Sequence, residues 1–308
     1  VAENTTTVTT VSATDADEGA TITFSLTGTD AAKFAINSET GAITFQAAPD
    51  FETPDSAASS NAYSLNVVAS DGSNSDTEAI VVNVTDADDN SPVLSVSTPY
   101  SVAENTTTVT TVSATDADAI STITFSLTGT DAAKFAINSS TGAITFQAAP
   151  DFETPDSAAS SNAYSLNVVA SDGSNSDTEA IIVNVTDAND NSPVLSVSTP
   201  YSVAENTTTV TTVSAADADA GTTITFSLTG TDAAKFAINS ETGAITFQAA
   251  PDFETPDSAA SSNAYSLNVV ASDGSNSDTE AIVVNVTDAD DNSPVLSVST
   301  PYSVAEGV

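Results

Sequence analysis

One spacing governs this chain. Val-Ala-Glu stands at 1–3, 102–104, 203–205 and 304–306, always 101 residues apart, with no insertion or deletion between copies. Gly28, Gly129 and Gly230 keep that interval, as do Asp50, Asp151 and Asp252. Repeats on a fixed period bind the whole fold to the fold of one unit. Substitutions between copies are few, such as Val81 against Ile182, or Asp88 against Asn189. The one variable stretch is Glu18-Gly19-Ala20, Ala119-Ile120-Ser121 and Ala220-Gly221-Thr222, which reads as an exposed loop.

Within a unit the apolar residues recur every second position, the period of strands rather than helices. Ile22, Phe24 and Leu26 alternate with Thr23 and Ser25. Tyr63, Leu65, Val67 and Ala69 do the same, as do Ile80, Val82 and Val84. Phe34 with Ile36, and Ile43 with Phe45, form two short strands around the turn Asn37–Gly41. Val8 and Val11 are out of phase, which implies a bulge or kink between them. With the segment Leu94–Tyr100 this makes an all-β unit of seven strands in about 100 residues, the dimensions of a Greek-key, immunoglobulin-like sandwich. Each unit has its own apolar complement. The expected domains are therefore 1–90 (lacking its first strand), 91–191 and 192–292, with 293–308 as the first strand of a following repeat. The opening at Val1, in the middle of the pattern, reads as part of something longer.

Composition then excludes whole classes of function. Forty-two acidic residues stand against three lysines, with no arginine or histidine, for a net charge of −39. Binding to a phosphate backbone needs clustered Lys and Arg, so nucleic acid is not a partner. Anionic membrane surfaces are excluded for the same reason, and no run of 18 apolar residues is present for insertion. Without cysteine there are neither disulfides nor thiolate metal sites, so bound cations are the remaining external source of stability. Serines abound, but with no histidine to activate one, acyl-transfer chemistry lacks its base and no enzyme is expected.

The acidic residues are grouped, and the groups recur in phase. Glu3 sits at a strand end, Asp15-Ala16-Asp17 ends the second strand, and Asp50-Phe51-Glu52 follows the fifth. Asp71 follows Val68-Ala69-Ser70, and Asp86-Ala87-Asp88-Asp89-Asn90 closes the seventh just before Pro92. Strands running alternately up and down place Glu3, Asp50, Glu52 and the Asp86–Asn90 run at one pole. Asp15, Asp17 and Asp71 fall at the other. The linker then brings the first group against Asp116, Asp118 and Asp172 of the next repeat, and up to nine carboxylates converge. At an effective dielectric near 20, each pair about 5 Å apart repels by roughly 3 kcal/mol. A lone Asp-x-Asp reads equally well as a pair of turn-capping residues. Five acidic elements in phase in three copies point instead to hard cations, and oxygen-only donors favour calcium. About three divalent ions per junction would neutralise most of the charge.

The same residues carry a family resemblance that covers the whole chain. Ala2-Glu3-Asn4, Asp15-Ala16-Asp17, Phe34-x-Ile36 with Thr40-Gly41-x-Ile43, Asp50-Phe51-Glu52, Ala69-Ser70-Asp71-Gly72 and Asp86-x-Asp88-Asp89-Asn90-x-Pro92 together resemble the cadherin repeat. The resemblance implies calcium bound between successive repeats, stiffening the array into a linear rod. At the first junction the implied ligands are Glu3, Asp50, Glu52, Asp86, Asp88, Asp89, Asn90, Asp116, Asp118 and Asp172. At the second they are Glu104, Asp151, Glu153, Asp187, Asn189, Asp190, Asn191, Asp217, Asp219 and Asp273. Half-sites follow at the ends: Asp15, Asp17 and Asp71 at the start, and Glu205, Asp252, Glu254, Asp288, Asp290, Asp291 and Asn292 at the finish. Cadherins have Asn where Asp88 and Asp290 stand, and only Asn189 keeps it. The absence of Trp argues against the strand-swapped adhesion of animal cadherins. Near-identical copies, acidity and the long loop Thr53–Asn61 look more like cadherin-like arrays of large bacterial surface proteins.

The expected role is a calcium-rigidified extracellular array, structural or adhesive, at the cell surface. Its expected partners are calcium and neighbouring repeats of the same or another chain. Two alternatives stand beside it. Strand addition of 294–306 to repeat 1 of the next chain would make a head-to-tail filament. A calcium-dependent module binding surface glycans or its own copies is the other, with Tyr100 and Tyr201 as the aromatics nearest the junctions. Lys33, Lys134 and Lys235 read as surface side chains on a short turn capped by Asp30 and its counterparts. Asn4-Thr5-Thr6 and Asn83-Val84-Thr85 fit the glycosylation pattern, a common match in Thr-rich strands.

Overall fold

The alternation read from the sequence becomes two-sheet packing in a computed structural model that describes residues 1–298, 301 and 303–307. Repeat 2 shows the plan. One sheet has four strands in the order Thr124–Thr128, Ala163–Ser171, Ser176–Thr186, Tyr100–Ala103. The opposing layer joins Phe135–Ile137, Ala143–Phe146 and Thr108–Thr111, with Val93–Ser95 paired to Ser113–Thr115 at its edge. Ala163–Ser171 and Ser176–Thr186 form a long antiparallel hairpin, from Ala163 opposite Asn184 to Ser171 opposite Ser176. Tyr100–Ala103 then lies parallel to the last strand, with Tyr100 opposite Val183 and Ala103 opposite Thr186. Repeat 3 repeats this arrangement, its Tyr201–Ala204 parallel to Val284–Thr287.

The first strand of the seven-strand plan is thus two segments, and so is the second. The out-of-phase valines account for part of this. On the second strand of repeat 1, Thr7 faces Thr44 and Thr9 faces Ile43, so Val8 is one residue extra. The expected irregularity between Val8 and Val11 is a bulge at Val8, which re-aims the strand. Beyond it, Gly41 has a φ of +71° and a Cβ there would meet the Val11 carbonyl oxygen at 2.3 Å. Only glycine fits that approach.

Three separate apolar cores form, two within residues 1–186 and one within 187–308. In repeat 2, Ile144, Val168 and Val183 are fully buried, as alternation on both inner faces requires. Phe135, Phe146 and Tyr164 make an aromatic triad: the two phenylalanine rings lie 4.3 Å apart and Tyr164 meets both edge-on. Such pairs add about 0.5–1.5 kcal/mol each beyond area burial. Leu94 closes the core from the split first strand, its N–H donating to Asp177 Oδ2 at 2.9 Å. In repeat 1 the corresponding face is less closely covered. Val67 is 8% exposed there against 0% for its counterpart Val168.

The turn Ala31–Lys33 is present, but Asp30 makes no side-chain cap to it. Asp30 is 4% exposed, and its two carboxylate oxygens accept from Ala57 N and Ser64 N, both at 2.7 Å. The expected cap is corrected for a physical reason: a buried carboxylate reaches the N–H groups that most need a partner, and these lie in the long loop and the following strand. Lys33 is on the surface, where it pairs with Asp55 at 2.6 Å while Tyr63 donates to the other Asp55 oxygen at 2.9 Å. The Thr53–Asn61 loop is thereby pinned at two points.

Candidate metal centre

The acidic groups of repeat 1 and repeat 2 meet around the linker Asp86–Asn90. Glu3 is 2% exposed, and its carboxylate bridges two segments, accepting from Phe51 N and from Ala87 N at 2.8 Å each. Those charge-assisted bonds fix the loop that carries Asp50 and Glu52 against the linker. Glu205 makes the same pair of bonds to Phe253 N and Ala289 N in repeat 3. Carboxylate oxygens of Glu3, Glu52 and Asp86 then lie within 4.8 Å of one another, and so do those of Glu52, Asp89 and Asp118. Glu52 belongs to both groups, so two clusters adjoin across one shared side chain.

The linker is fastened to repeat 2 by polar bonds. Asn90 donates its backbone N–H to Asp118 Oδ2 at 2.9 Å and its amide to Asp118 Oδ1 at 2.7 Å. Ala119 N donates to Asp86 Oδ2 at 2.8 Å, and the Asn175 amide donates to Asn90 O at 2.9 Å. Asp88 accepts from Ser121 Oγ at 3.1 Å and Ser174 Oγ at 2.7 Å. The Asn4 amide donates to Asp89. Asn4, Asn105 and Asn206 all adopt a left-handed backbone, with φ of 57–61°. That conformation is tolerated best by Gly, Asn and Asp.

Four carboxylate oxygens of this region are buried without a hydrogen-bond partner: Glu52 Oε1, Asp86 Oδ1, Asp116 Oδ2 and Asp172 Oδ2. Native proteins rarely leave such atoms unsatisfied, and an ion is one standard reason. Burial pushes the Glu52 carboxyl above the usual range, and the charges of Glu3, Asp118 and Asp86 add to that rise. For Asp118 burial also acts upward. It is outweighed by hydrogen bonds from the Asn90 side chain and backbone and from the Asp89 backbone, and the carboxyl sits below its usual value. The Thr53 side chain and N–H lower Asp50, and the N–H groups of Asn74 and Ser73 lower Asp71. A site with only oxygen donors, several of them unpartnered, fits a hard divalent cation such as calcium.

The remaining candidates fall into two kinds of place. In repeat 2, oxygens of Glu104, Asp151 and Glu153 cluster as their counterparts do, and in repeat 3 those of Glu205, Glu254 and Asp288. Asp252 is lowered by its bonds from Thr255, and Asp291 accepts from the amides of Asn206 and Asn292. The second linker meets repeat 3 as the first meets repeat 2. Asn191 grips Asp219 at 2.9 and 2.7 Å, Asp190 accepts from Asn191, Ala220 N donates to Asp187, and the Asn276 amide donates to Asn191 O. Asp217 Oδ2 is again buried without a partner. One end of the Asn189 carboxamide lies 2.8 Å from Asp273 Oδ2 and 3.3 Å from Asp219 Oδ2. Asp15, Asp17 and Asp71 stand at the far pole of repeat 1, where Asp15 accepts from Asp17 N and Asp71 from Ser73 N and Asn74 N. The sequence reading missed Asn4, Asn175, Ser121 and Ser174, which hold the acidic residues in place. The 101-residue recurrence was the signal available for Asn4, Asn175 and Ser174, while Ser121 lies in the one variable stretch and carried none.

Comparisons with known proteins agree with this geometry. Residues 1–91, 98–186 and 199–293 each match the sequence family described as Cadherin domain, a domain that binds calcium where successive copies meet. The chain is 36% identical over 319 residues to human Protocadherin Fat 1, covering 96% of this chain and 6% of that protein. It is 37% identical over 307 residues to mouse Cadherin EGF LAG seven-pass G-type receptor 2, covering 92% of this chain and 10% of the relative. The crystal structure of mouse Cadherin-23 EC22-24 superposes with a TM-score of 0.66 at 27% identity, over 94% of this chain and 95% of that one. These relatives are human and mouse proteins named as cadherins, and the suggested likeness to bacterial arrays is not seen among them. Among the described residues no helix is long and apolar enough to cross a membrane. The chain belongs to the cadherin family, as a tandem of extracellular cadherin domains.

Proposed function

We propose that the chain is a calcium-rigidified stretch of an extracellular array that extends or links a cell-surface protein, with 1–90, 91–191 and 192–292 as its units. One observation carries this reading. Glu52 of repeat 1 shares one carboxylate group with Glu3 and Asp86 and another with Asp89 and Asp118, so the clusters draw on two repeats and the linker between them. About three ions suit the donors present. One would be held by Glu3, Asp50, Glu52 and Asp86, and one by Glu52, Asp86, Asp89 and Asp118. One would be held by Asp88, Asn90, Asp116, Asp118 and Asp172. Each ion would supply the positive charge that lets these carboxylates remain close. The chain's own hydrogen bonds, above all from Asn90, Ala119 and Asn175, aim them. The second linker, Asp187–Asn191, and repeat 3 carry the corresponding residues of their own subsite at 101-residue intervals.

The test is thermal unfolding of the full chain in calcium and in chelator. Calcium should raise the midpoint, by an amount that grows with calcium concentration as binding to the folded state alone requires. Coincident transitions in both conditions would sink the reading.

The finer likeness to long bacterial surface arrays is supported only by the near-identity of the copies, the acidity and the Thr53–Asn61 loop. Strand addition is a second reading with its own support. Val295 and Leu296 are 93% and 86% exposed, and Pro294–Val298 repeats the sequence Pro92–Val96 whose Leu94 closes the repeat 2 core. Of the segment 294–306, Ser299, Thr300 and Tyr302 lie outside the described residues, and the described ones form no strand. A chain that stays monomeric in size-exclusion chromatography with light scattering, with and without calcium, would remove this reading. Sugar stacking has no such support. Tyr100 and Tyr201 pack against the cores, and their hydroxyls accept from Ser97 N and Ser198 N.

A further inference from the structure

The subsite formed by each linker and the repeat that follows it differs by one side chain between the first and second linkers. In the first, the linker supplies Asp88 and repeat 2 supplies Asp116, Asp118 and Asp172, the four carboxylates assigned above to one ion. The Asp88 carboxylate is held by Ser121 Oγ at 3.1 Å and Ser174 Oγ at 2.7 Å. Asp172 Oδ2 and Asp116 Oδ2 are left buried without a hydrogen-bond partner. In the second, Asn189 stands in the place of Asp88, beside the three carboxylates of Asp217, Asp219 and Asp273. Here one carboxamide end lies 2.8 Å from Asp273 Oδ2 and 3.3 Å from Asp219 Oδ2, with the Asn276 amide nitrogen 3.5 Å away. With nitrogen at that end, Asn189 donates to both carboxylates. With oxygen there, three oxygens converge as a cation would require. Thr222 replaces Ser121 and turns its hydroxyl to Asp219 O at 3.1 Å. The rest of the subsite is shared: Asn90 and Asn191 hold Asp118 and Asp219 at the same 2.9 and 2.7 Å.

We propose that Asp88 and Asn189 give these two subsites different calcium affinities, so that the first fills at lower calcium than the second. The proposal rests on the calcium reading of the centre and adds a regulation to it. Affinity of oxygen-donor sites rises with the charge of the ligand set, which favours the four-carboxylate subsite. The free sites differ as well. A carboxamide rotates end for end and satisfies neighbouring carboxylates by hydrogen bonding, whereas a carboxylate has only acceptors to offer them. The Asn189 subsite therefore has a low-calcium arrangement of its own, and calcium must displace two hydrogen bonds to enter. Asp88 accepts from the Ser121 and Ser174 hydroxyls instead and has no N–H with which to satisfy its neighbouring carboxylates. As calcium falls, repeat 3 loses its hold on its linker before repeat 2 does.

The experiment is a calorimetric titration of the full chain, stripped with chelator, using calcium chloride alone as the probe. Wild type should show at least two affinity classes. Asn189→Asp should tighten the weak class by roughly tenfold, and Asp88→Asn should weaken part of the tight class by a similar factor. The double variant Asp88→Asn/Asn189→Asp should return an isotherm like that of wild type. Each substitution places a side chain found at the same position in another copy, and far-UV circular dichroism in calcium checks that the sheets are intact. Single variants that titrate as wild type does, or an Asn189→Asp chain that binds more weakly, would overturn the proposal while leaving the centre standing. A wild-type chain that takes up no calcium would overturn the reading of the centre itself.

Discussion

Asn90 holds Asp118 with both of its nitrogens, the backbone N–H on Oδ2 at 2.9 Å and the amide on Oδ1 at 2.7 Å. Asp118 is 3% exposed, so this grip and the neighbouring backbone bonds replace much of its hydration. Replacing Asn90 by Ala removes the amide bond and leaves a buried charged oxygen short of a donor. The expected cost is about 1.5–3 kcal/mol to the hold of the linker on repeat 2. Calcium titration of the variant should show weakened binding, and denaturant unfolding in calcium should show the loss.

Glu52 behaves in opposite ways with and without the ion. Its folded-state pKa is raised, first by burial and then by Glu3, Asp118 and Asp86. A carboxylate with a raised folded pKa costs stability once it ionises, so the penalty is absent below its unfolded pKa and complete above its folded one. In chelator, Glu52→Gln should therefore raise the unfolding midpoint at neutral pH and change it little in acid. In calcium the same variant should lower the midpoint, since a ligand is gone. A fall in both conditions would show that Glu52 serves the fold alone.

The lowered aspartates give the reverse dependence. Asp50 is held down by Thr53, Asp71 by Asn74 and Ser73, and Asp273 by Asn276, then Ser275. A depressed folded pKa contributes stability that is present above the usual aspartate range and lost as pH falls through the folded value. Acidification in chelator should thus unfold the chain from below the ordinary aspartate pKa. Circular dichroism at stepped pH follows it.

Three of the six tyrosines should ionise late. Tyr164 and Tyr265 are pushed up to about 12, by burial first and then by the hydrogen bond each gives to its aspartate; Tyr63 rises for the same causes. A raised folded pKa makes the protonated phenol a stabilising group below its unfolded pKa of about 10, and that contribution is lost as pH rises toward the folded value. Absorbance titration of phenolate should give a late component that merges with alkaline unfolding. Tyr164→Phe should remove part of it.

Asp131 offers the cleanest test of a carboxylate outside the metal centre. It is 5% exposed and accepts from Ala158 N and Ser165 N at 2.7 Å each. Asp131→Ala should destabilise repeat 2 by about 1.5–3 kcal/mol for each charge-assisted bond lost. Calcium affinity should stay unchanged. A shift in the calcium titration comparable to the loss of stability would contradict the separation of the two networks.

The sequence made the inner faces legible because a strand has only two faces and one phase choice assigns them. Ile144, Tyr164 and Val183 lie where that phase puts them. The poles followed from counting strand reversals, which places Asp116, Asp118 and Asp172 against the Asp86–Asn90 linker. Other facts depended on partners far away in the chain. Asp30, Asp55 and Asp177 recur with the same period as the centre's residues. Yet Asp30 serves N–H groups 27 and 34 positions on, Asp55 pairs with a lysine 22 positions back, and Asp177 holds a strand 83 positions earlier. Recurrence marks a residue as needed without telling a structural carboxylate from one suited to a cation. The divided first strand was hidden for a related reason. Its two halves join different sheets, and only the partner strands reveal where the chain crosses.

The parallel pairing of Tyr100–Ala103 with Val183–Thr186 has a mechanical consequence. Tension pulls the first of these strands back toward its N-terminus and the second onward toward its C-terminus, so the two slide lengthwise past one another. All the bonds between them are then loaded at once, where an antiparallel pair pulled from one end would open bond by bond like a zipper. The second repeat is in this way arranged to resist stretching, and Tyr201–Ala204 against Val284–Thr287 does the same in the third.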